Sequence, residues 1–200
     1  MRRTVFHGIK LVLPETVYEP AEDTELLLEA LEELSPEGKL AADVGCGSGI
    51  LSIYLARSFE RVIGTDVNPD ALLALRESAS LNGVGDKVLA VCSDVISSLR
   101  VKLDLAVFNP PYLPESPRKN DLLAYSWCGG RRGREILDRF LLQAKAAVRD
   151  EGRIIFLQTE RNGVAETEAL LSSQGFRGEI LKERKICFDR LLVWVARRSI

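Results

Sequence analysis

Histidine and aromatic side chains are scarce in this sequence, with one His, two Trp and an aromatic share of 6% across 200 residues. A lone His7 leaves most of the chain without the commonest metal ligand and the usual general base. The four cysteines, Cys46, Cys92, Cys128 and Cys187, form no CxxC pair and have no histidine beside them. Zinc-site spacing is therefore missing, no metal is expected in this chain, and the thiols read as reduced and partly buried. No apolar run nears the ~18 residues of a membrane span, and Met1-Arg2-Arg3-Thr4 leads into none, so a cytoplasmic protein without membrane contact is expected. Strong charge of one sign is also absent. A formal charge of −2 disfavours a partner held mainly through phosphates, which makes nucleic acid the less expected target.

What is present fits one globular unit. An apolar share of 46% over 200 residues can bury a core without disulfide or metal staples. We expect a single domain over 1–200, with 1–38 a lead-in segment and helix and 39–200 the core. Short apolar or β-branched runs alternate with helical patterns from residue 39 onward, as in a parallel sheet covered by helices. The expected strands are Leu40 to Val44, Arg61 to Thr65, Val88 to Cys92, Leu103 to Phe108 and Arg153 to Gln158. Helices are expected over Pro20 to Leu34, Ile50 to Arg57, Pro69 to Leu81, Gly133 to Val148 and Val164 to Ser173. The third of these opens on an Asn68 cap with Pro69 in its first turn and closes at Asn82-Gly83. Glu179 to Ile186 and Leu191 to Ala196 read as a terminal antiparallel hairpin. Leu113 to Arg132, with Pro114, Pro117, Gly129 and Gly130, is one long loop, and such loops in compact domains are commonly functional.

Asp43-Val44-Gly45-Cys46-Gly47-Ser48-Gly49 follows the first core strand and opens a helix, so its glycines let backbone approach a nucleotide-like ligand. The spacing is GxGxG, not the GxGxxG of dinucleotide enzymes, which favours S-adenosylmethionine over NAD. Asp66 ends the next strand at about the 20-residue interval where an acid meets ribose hydroxyls, although an Asp before Asn-Pro also makes a turn or cap. Asp94, ending the third strand, is placed to accept from an adenine amine, or to cap with Ser93.

Asn109-Pro110-Pro111-Tyr112 leaves the fourth core strand at its carboxyl end, where open α/β sheets place ligands. The Asn109 oxygen and the Pro110 carbonyl can accept both hydrogens of a planar NH2 group and steer electron density toward its nitrogen. Tyr112 can stack on the planar group, and the two prolines fix the acceptors beforehand. Such a site holds an amide or the exocyclic amine of adenine equally well.

Several segments are more specific. Val17-Tyr18-Glu19-Pro20-Ala21-Glu22-Asp23-Thr24, the Asn109 to Tyr112 segment, Trp127 and Gly129-Gly130-Arg131-Arg132-Gly133-Arg134-Glu135 together resemble HemK-type protein-glutamine methyltransferases. The likeness is to the archaeal and eukaryotic branch, which modifies translation termination factors, and it runs over nearly the whole chain. It implies a class I methyltransferase (Rossmann-like) α/β fold: a seven-stranded, mostly parallel sheet with a terminal antiparallel hairpin and helices on both faces. It also implies contacts to S-adenosylmethionine from Thr24, Asp43, Gly45, Gly47, Asp66, Asp94, Val95 and Asn109. Substrate contacts fall to Asn109, Pro110, Pro111, Tyr112 and Arg131, with Asn109, Pro110 and Tyr112 as the catalytic set. The implied target is the glutamine of Gly-Gly-Gln in a class 1 release factor; an adenine amine or a broader set of protein acceptors is the alternative. Glu22 to Thr24 also read as polar residues of a helix start, and Arg131, Arg132 and Arg134 read equally as a solvated basic face or as a grip on a substrate's backbone or acidic side chains. The chain shows no counterpart of the N-terminal helical domain of bacterial members, and Cys128 stands where alanine is commoner. The branch implies a small zinc-binding activator protein, expected to add a strand at Val88 to Cys92, an edge without proline or internal charge.

Overall fold

The computed structural model describes residues 1–116, 121–187 and 189–198. A two-stranded hairpin, β1 (Arg2–Phe6) and β2 (Ile9–Leu13), comes first and was not anticipated from the sequence. Its two turn residues, His7 and Gly8, both have positive φ (48° and 74°), the geometry whose twist suits a tight hairpin. Ile9 and Leu11 are buried, and the hairpin is pinned to a later helix by Val12 N–H donating to Ser78 Oγ at 2.9 Å.

The large sheet takes its strands from β3 (Gly38–Val44), β4 (Phe59–Asp66), β5 (Val88–Cys92), β6 (Leu103–Phe108), β7 (Val148–Thr159), β8 (Phe176–Ile186) and β9 (Asp189–Arg198). Their order is β5-β4-β3-β6-β7-β9-β8. The first five are parallel neighbours and β9 runs antiparallel to both β7 and β8, as the sequence led us to expect. Helices α1 (Glu22–Leu34), α2 (Ile50–Leu55) and α3 (Pro69–Leu81) cover one face, and α4 (Glu135–Ala147) and α5 (Val164–Ser173) the other.

Strand alternation explains the two cores. Along β7, Ile155 and Leu157 join α1 and α2 residues such as Leu27, Leu31 and Ile53, while Ile154 and Phe156 meet Phe140 of α4 and Trp194 of β9. Phe156 and Trp194 stack with ring centres 6.1 Å apart. Helix starts differ from expectation by up to two residues. Helix α1 begins at Glu22 because Ala21, an extended residue with no capping side chain, is its N-cap, so Pro20 stays outside. Helix α3 matches expectation, with Asn68 Oδ1 accepting from Asp70 N–H at 3.0 Å. Part of the expected loop from Leu113 to Arg132, including Pro117, lies outside the described residues. Its described ends meet at a bridge between Leu113 and Cys128.

Candidate active site

The carboxyl ends of β3, β4, β5 and β6 open into one cavity of about 670 Å³. Gly45 (φ 61°) and Gly49 (φ 84°) turn the chain from β3 into α2 through conformations that a side chain would strain. A Cβ on Gly45 would stand 3.2 Å from the Phe108 ring. The turn is held by acids from two strands. Asp66 accepts Gly47 N–H at 3.0 Å on one oxygen and Asn68 N–H at 2.9 Å on the other. Asp43 Oδ2 accepts Ser52 N–H at 2.8 Å and the Ser52 hydroxyl at 2.6 Å. Burial pushes the Asp43 carboxyl up to about 7 against the pull of those hydrogen bonds, and burial raises Asp66 too. Asp94, half exposed, pairs with Arg139 of α4 at 2.5 Å. Val95 is buried at a φ of 57°, a conformation rare for a β-branched residue, and Thr65 Oγ1 donates to its carbonyl at 2.8 Å. Asp43, Gly45, Gly47, Asp66, Asp94 and Val95 all line the cavity.

Asn109 follows β6, whose Phe108 pairs with Val44, so it stands near the glycine turn as well as beside the first turn of α1. Its Nδ2 donates to Asp23 Oδ2 at 3.1 Å. Its Oδ1 is buried and has no partner among the described residues. Asp23 is 5% exposed, and its Oδ1 accepts Thr24 N–H at 2.6 Å and the Tyr18 hydroxyl at 3.2 Å. Thr24 and Pro111 line the cavity with Asn109. Pro110 is buried outside its wall, and Tyr112 packs on the α1 side of the core with its hydroxyl 3.5 Å from Asp23 Oδ2. The Tyr112 ring thus supports the site's acid instead of forming cavity wall.

These features meet in proteins of one kind. The Methyltransferase small domain family matches residues 19–125. A Methanocaldococcus jannaschii protein with the provisional name protein N5-glutamine methyltransferase is 38% identical over 93% of this chain and 94% of its own. The human methyltransferase HEMK2 is 33% identical over 95% of this chain and 94% of its own. This chain is a small-domain methyltransferase of the archaeal and eukaryotic HemK type. Among solved structures, a chain of the E. cuniculi Mtq2–Trm112 complex superposes with a TM-score of 0.73 at 31% identity, covering 92% of this chain and 99% of that one. That complex is described as responsible for methylating the eRF1 translation termination factor.

The family implies S-adenosylmethionine as methyl donor, and the methyltransferase's residues fit it. Its cavity has the volume of small-molecule sites, about 300–1,000 Å³, and is lined by close-approach glycines and strand-end acids. Asn109, with its unsatisfied acceptor, lines the same cavity. Among the described residues no three His, Cys, Asp or Glu side chains are grouped to hold a metal, and no helix is long and apolar enough to cross a membrane.

The basic run after the loop divides three ways. Arg131 is exposed and outside the cavity, and Arg132 pairs with Glu166 at 2.9 Å. Arg134 is 2% exposed, bonded to Asp138 at 2.7 Å and to the Asn162 and Gly163 carbonyls, so the expected choice between solvated face and substrate grip fails for it. Sequence reasoning missed five contributors. Asp23 was read as a helix-start acid within the family-like Val17 to Thr24 segment and given no role in the site. Leu122 and Tyr125 of the loop line the cavity, as does Arg139. Asn162 Nδ2 donates to the Tyr112 carbonyl at 3.1 Å, and only the Thr159-x-x-Asn162 capping box hinted at an ordered residue there.

Proposed function

We propose that this methyltransferase methylates the side-chain amide nitrogen of the glutamine in a Gly-Gly-Gln segment of a class 1 release factor. The observation that carries the reading is the buried Asn109 oxygen, an acceptor without a partner among the described residues, on a residue that lines the cavity. Leaving it unmet costs about 1–3 kcal/mol, which a substrate N–H offsets. The names of the relatives, protein N5-glutamine methyltransferase and a complex methylating eRF1, support glutamine over adenine as bearer of that N–H.

An amide nitrogen is a poor nucleophile because its lone pair is delocalised into the carbonyl. Asn109 Oδ1 accepts one N–H, and the Pro110 carbonyl, next to the cavity-lining Pro111 although the Pro110 ring lies outside the wall, accepts the other, which favours positive charge building on nitrogen. S-adenosylmethionine, when bound, would supply the methyl group as a sulfonium: the nitrogen–carbon bond would form as the carbon–sulfur bond breaks to leave a neutral thioether, and one N–H proton would then pass to water. Thr24, Asp43, Gly45, Gly47, Asp66, Asp94 and Val95 hold that donor, and Pro111 packs against the amide. Tyr112 fixes the floor through Asp23, while Arg131, exposed outside the cavity, meets the release factor backbone. The chain works as one catalytic unit, since Val17, Tyr18 and Pro20 of the lead-in line the same cavity as the core.

A small zinc-binding activator completes the enzyme by adding a strand to β5, which lies at the sheet edge with Leu89 51% exposed. Leu89→Asp should abolish that association, and unchanged association would remove the docking site. The function itself is tested by incubating the chain, with and without activator, with release factor and donor, then locating the methyl by mass spectrometry. A Gln-to-Asn change in the tripeptide should abolish the product, and preferential transfer to adenine in DNA or RNA would replace this reading.

A further inference from the structure

An amide side chain can face its surroundings in two ways, and a site that must accept a hydrogen bond works in only one of them. Asn109 lies against Asp23, whose two oxygens are surrounded by donors alone. Thr24 N–H and the Tyr18 hydroxyl are on Oδ1, and Asn109 Nδ2 and the Tyr112 hydroxyl face Oδ2. The Thr24 hydroxyl also donates to Oδ1, at 3.2 Å. Burial and then the Asp23 charge push both phenols up, so they keep their protons and donate. A carboxylate only accepts. Turned the other way, Asn109 would set Oδ1 against Asp23 Oδ2, two acceptors with no proton between them in a buried site.

We propose that Asp23 is the positioning residue that sets the polarity of the reacting site: by taking Asn109 Nδ2, it forces the Asn109 oxygen to be the group offered to substrate. This rests on the reading above that Asn109 holds the substrate nitrogen. Asp23 lines the same cavity, but the role assigned to it is exerted through Asn109. The 86 residues separating the pair also make the substrate acceptor conditional on α1 being docked.

Swapping the two side chains tests it. In Asp23→Asn, the fixed Thr24 N–H keeps an oxygen at Oδ1, so an NH2 replaces Oδ2 and Asn109 must turn its own NH2 to the substrate. Turnover should fall about 100-fold, as for loss of one preorganised acceptor. Binding of S-adenosylhomocysteine by calorimetry and the melting temperature should change little. Asn109→Asp alone opposes two carboxylates and should be equally slow. The double variant Asp23→Asn/Asn109→Asp restores a donor facing an acceptor and leaves an oxygen toward the cavity, so it should recover about tenfold or more over either single change. A merely structural role for Asp23 gives no such recovery. Near-normal turnover in Asp23→Asn, or a folded double variant no faster than the singles, would overturn the proposal. Should Asp23→Asn not fold, the double variant decides in the same way. Asn109→Ala separates the two levels: if it stays active the function reading fails, and if it is inactive while Asp23→Asn is active only the role of Asp23 fails.

Discussion

The glycine turn and the reacting group, neighbours in one cavity, treat polar groups in opposite ways. At the glycine turn the acids are already engaged by the protein: Asp66 with Gly47 and Asn68, Asp43 with Ser52, and Asp94 with Arg139. At the reacting group Asp23 is just as engaged, but its neighbour Asn109 keeps one buried oxygen unpaired among the described residues. The first is a receptacle whose acids are tied to the protein's own donors. The second is a shape with one deliberate deficit. Binding and chemistry are therefore separable, and substitutions in the two should fail in different assays.

The sharpest break comes at Asn109. Asn109→Ala should lower turnover by about 100-fold or more while donor affinity, read by calorimetry, stays near wild type. Equal losses in both would erase the division. Next is the turn. In Gly49→Ala the new Cβ would lie 2.5 Å from Leu75 Cδ1 and 3.1 Å from its Cα, at a φ of 84°. Strain and overpacking together should cost about 1–3 kcal/mol in urea unfolding, with donor binding weakened alongside; an unchanged midpoint would show that the turn is adaptable. Asn162→Ala removes the donor to the Tyr112 and Arg132 carbonyls and the acceptor for the Thr159 N–H and hydroxyl, and should cost about 1–3 kcal/mol of stability and some turnover with donor affinity kept. A donor-binding defect in that variant would link the two.

Asp43 offers a titration of the receptacle. Its carboxyl, lifted to about 7, holds a proton in the folded protein that the unfolded chain has already released. Its contribution to stability is therefore full below the ordinary aspartate value and is lost as pH rises through about 7. Asp43→Asn should flatten the fall in melting temperature between about pH 4 and 7, and parallel slopes in the two proteins would refute this. The smallest effect belongs to Asp94. It and Arg139 are roughly half exposed, so Arg139→Ala should shift stability by no more than about 1 kcal/mol, which thermal unfolding can bound.

The sequence was most informative where local pattern and role coincide. The five parallel strands, α3 with its Asn-Pro start, and the Asp43 to Gly49 turn each announce themselves within a dozen residues, because period, cap and glycine spacing are local properties. The first hairpin stayed hidden because two five-residue runs joined at His7-Gly8 carry no Asn-Gly signal, and their burial depends on α3. Within the site, residues at strand ends were legible and their supports were not. Asp23 meets Asn109 across 86 residues and Asn162 meets Tyr112 across 50, and nothing in the local sequence of either pair indicates the meeting. Tyr112 shows the same limit: its place after Asn109 is visible, but the direction of its ring is decided by α1. Arg134, read with its neighbours as surface charge, is instead consumed by carbonyls and Asp138 in the interior.

Strand β3 precedes every other strand of the large sheet in the chain yet stands inside it, between β4 and β6. The partners on its two sides are therefore synthesised at different times, β4 before β6. The receptacle formed by β3, β4 and β5 can assemble once Cys92 has emerged, whereas the β6 side of β3 remains an open edge until Leu103–Phe108 arrives. A chain folded up to that point would present the backbone groups of Ala41 to Val44 as an unpaired edge to other chains. The segment that delivers Asn109 is thus also the one that seals the nascent molecule against association.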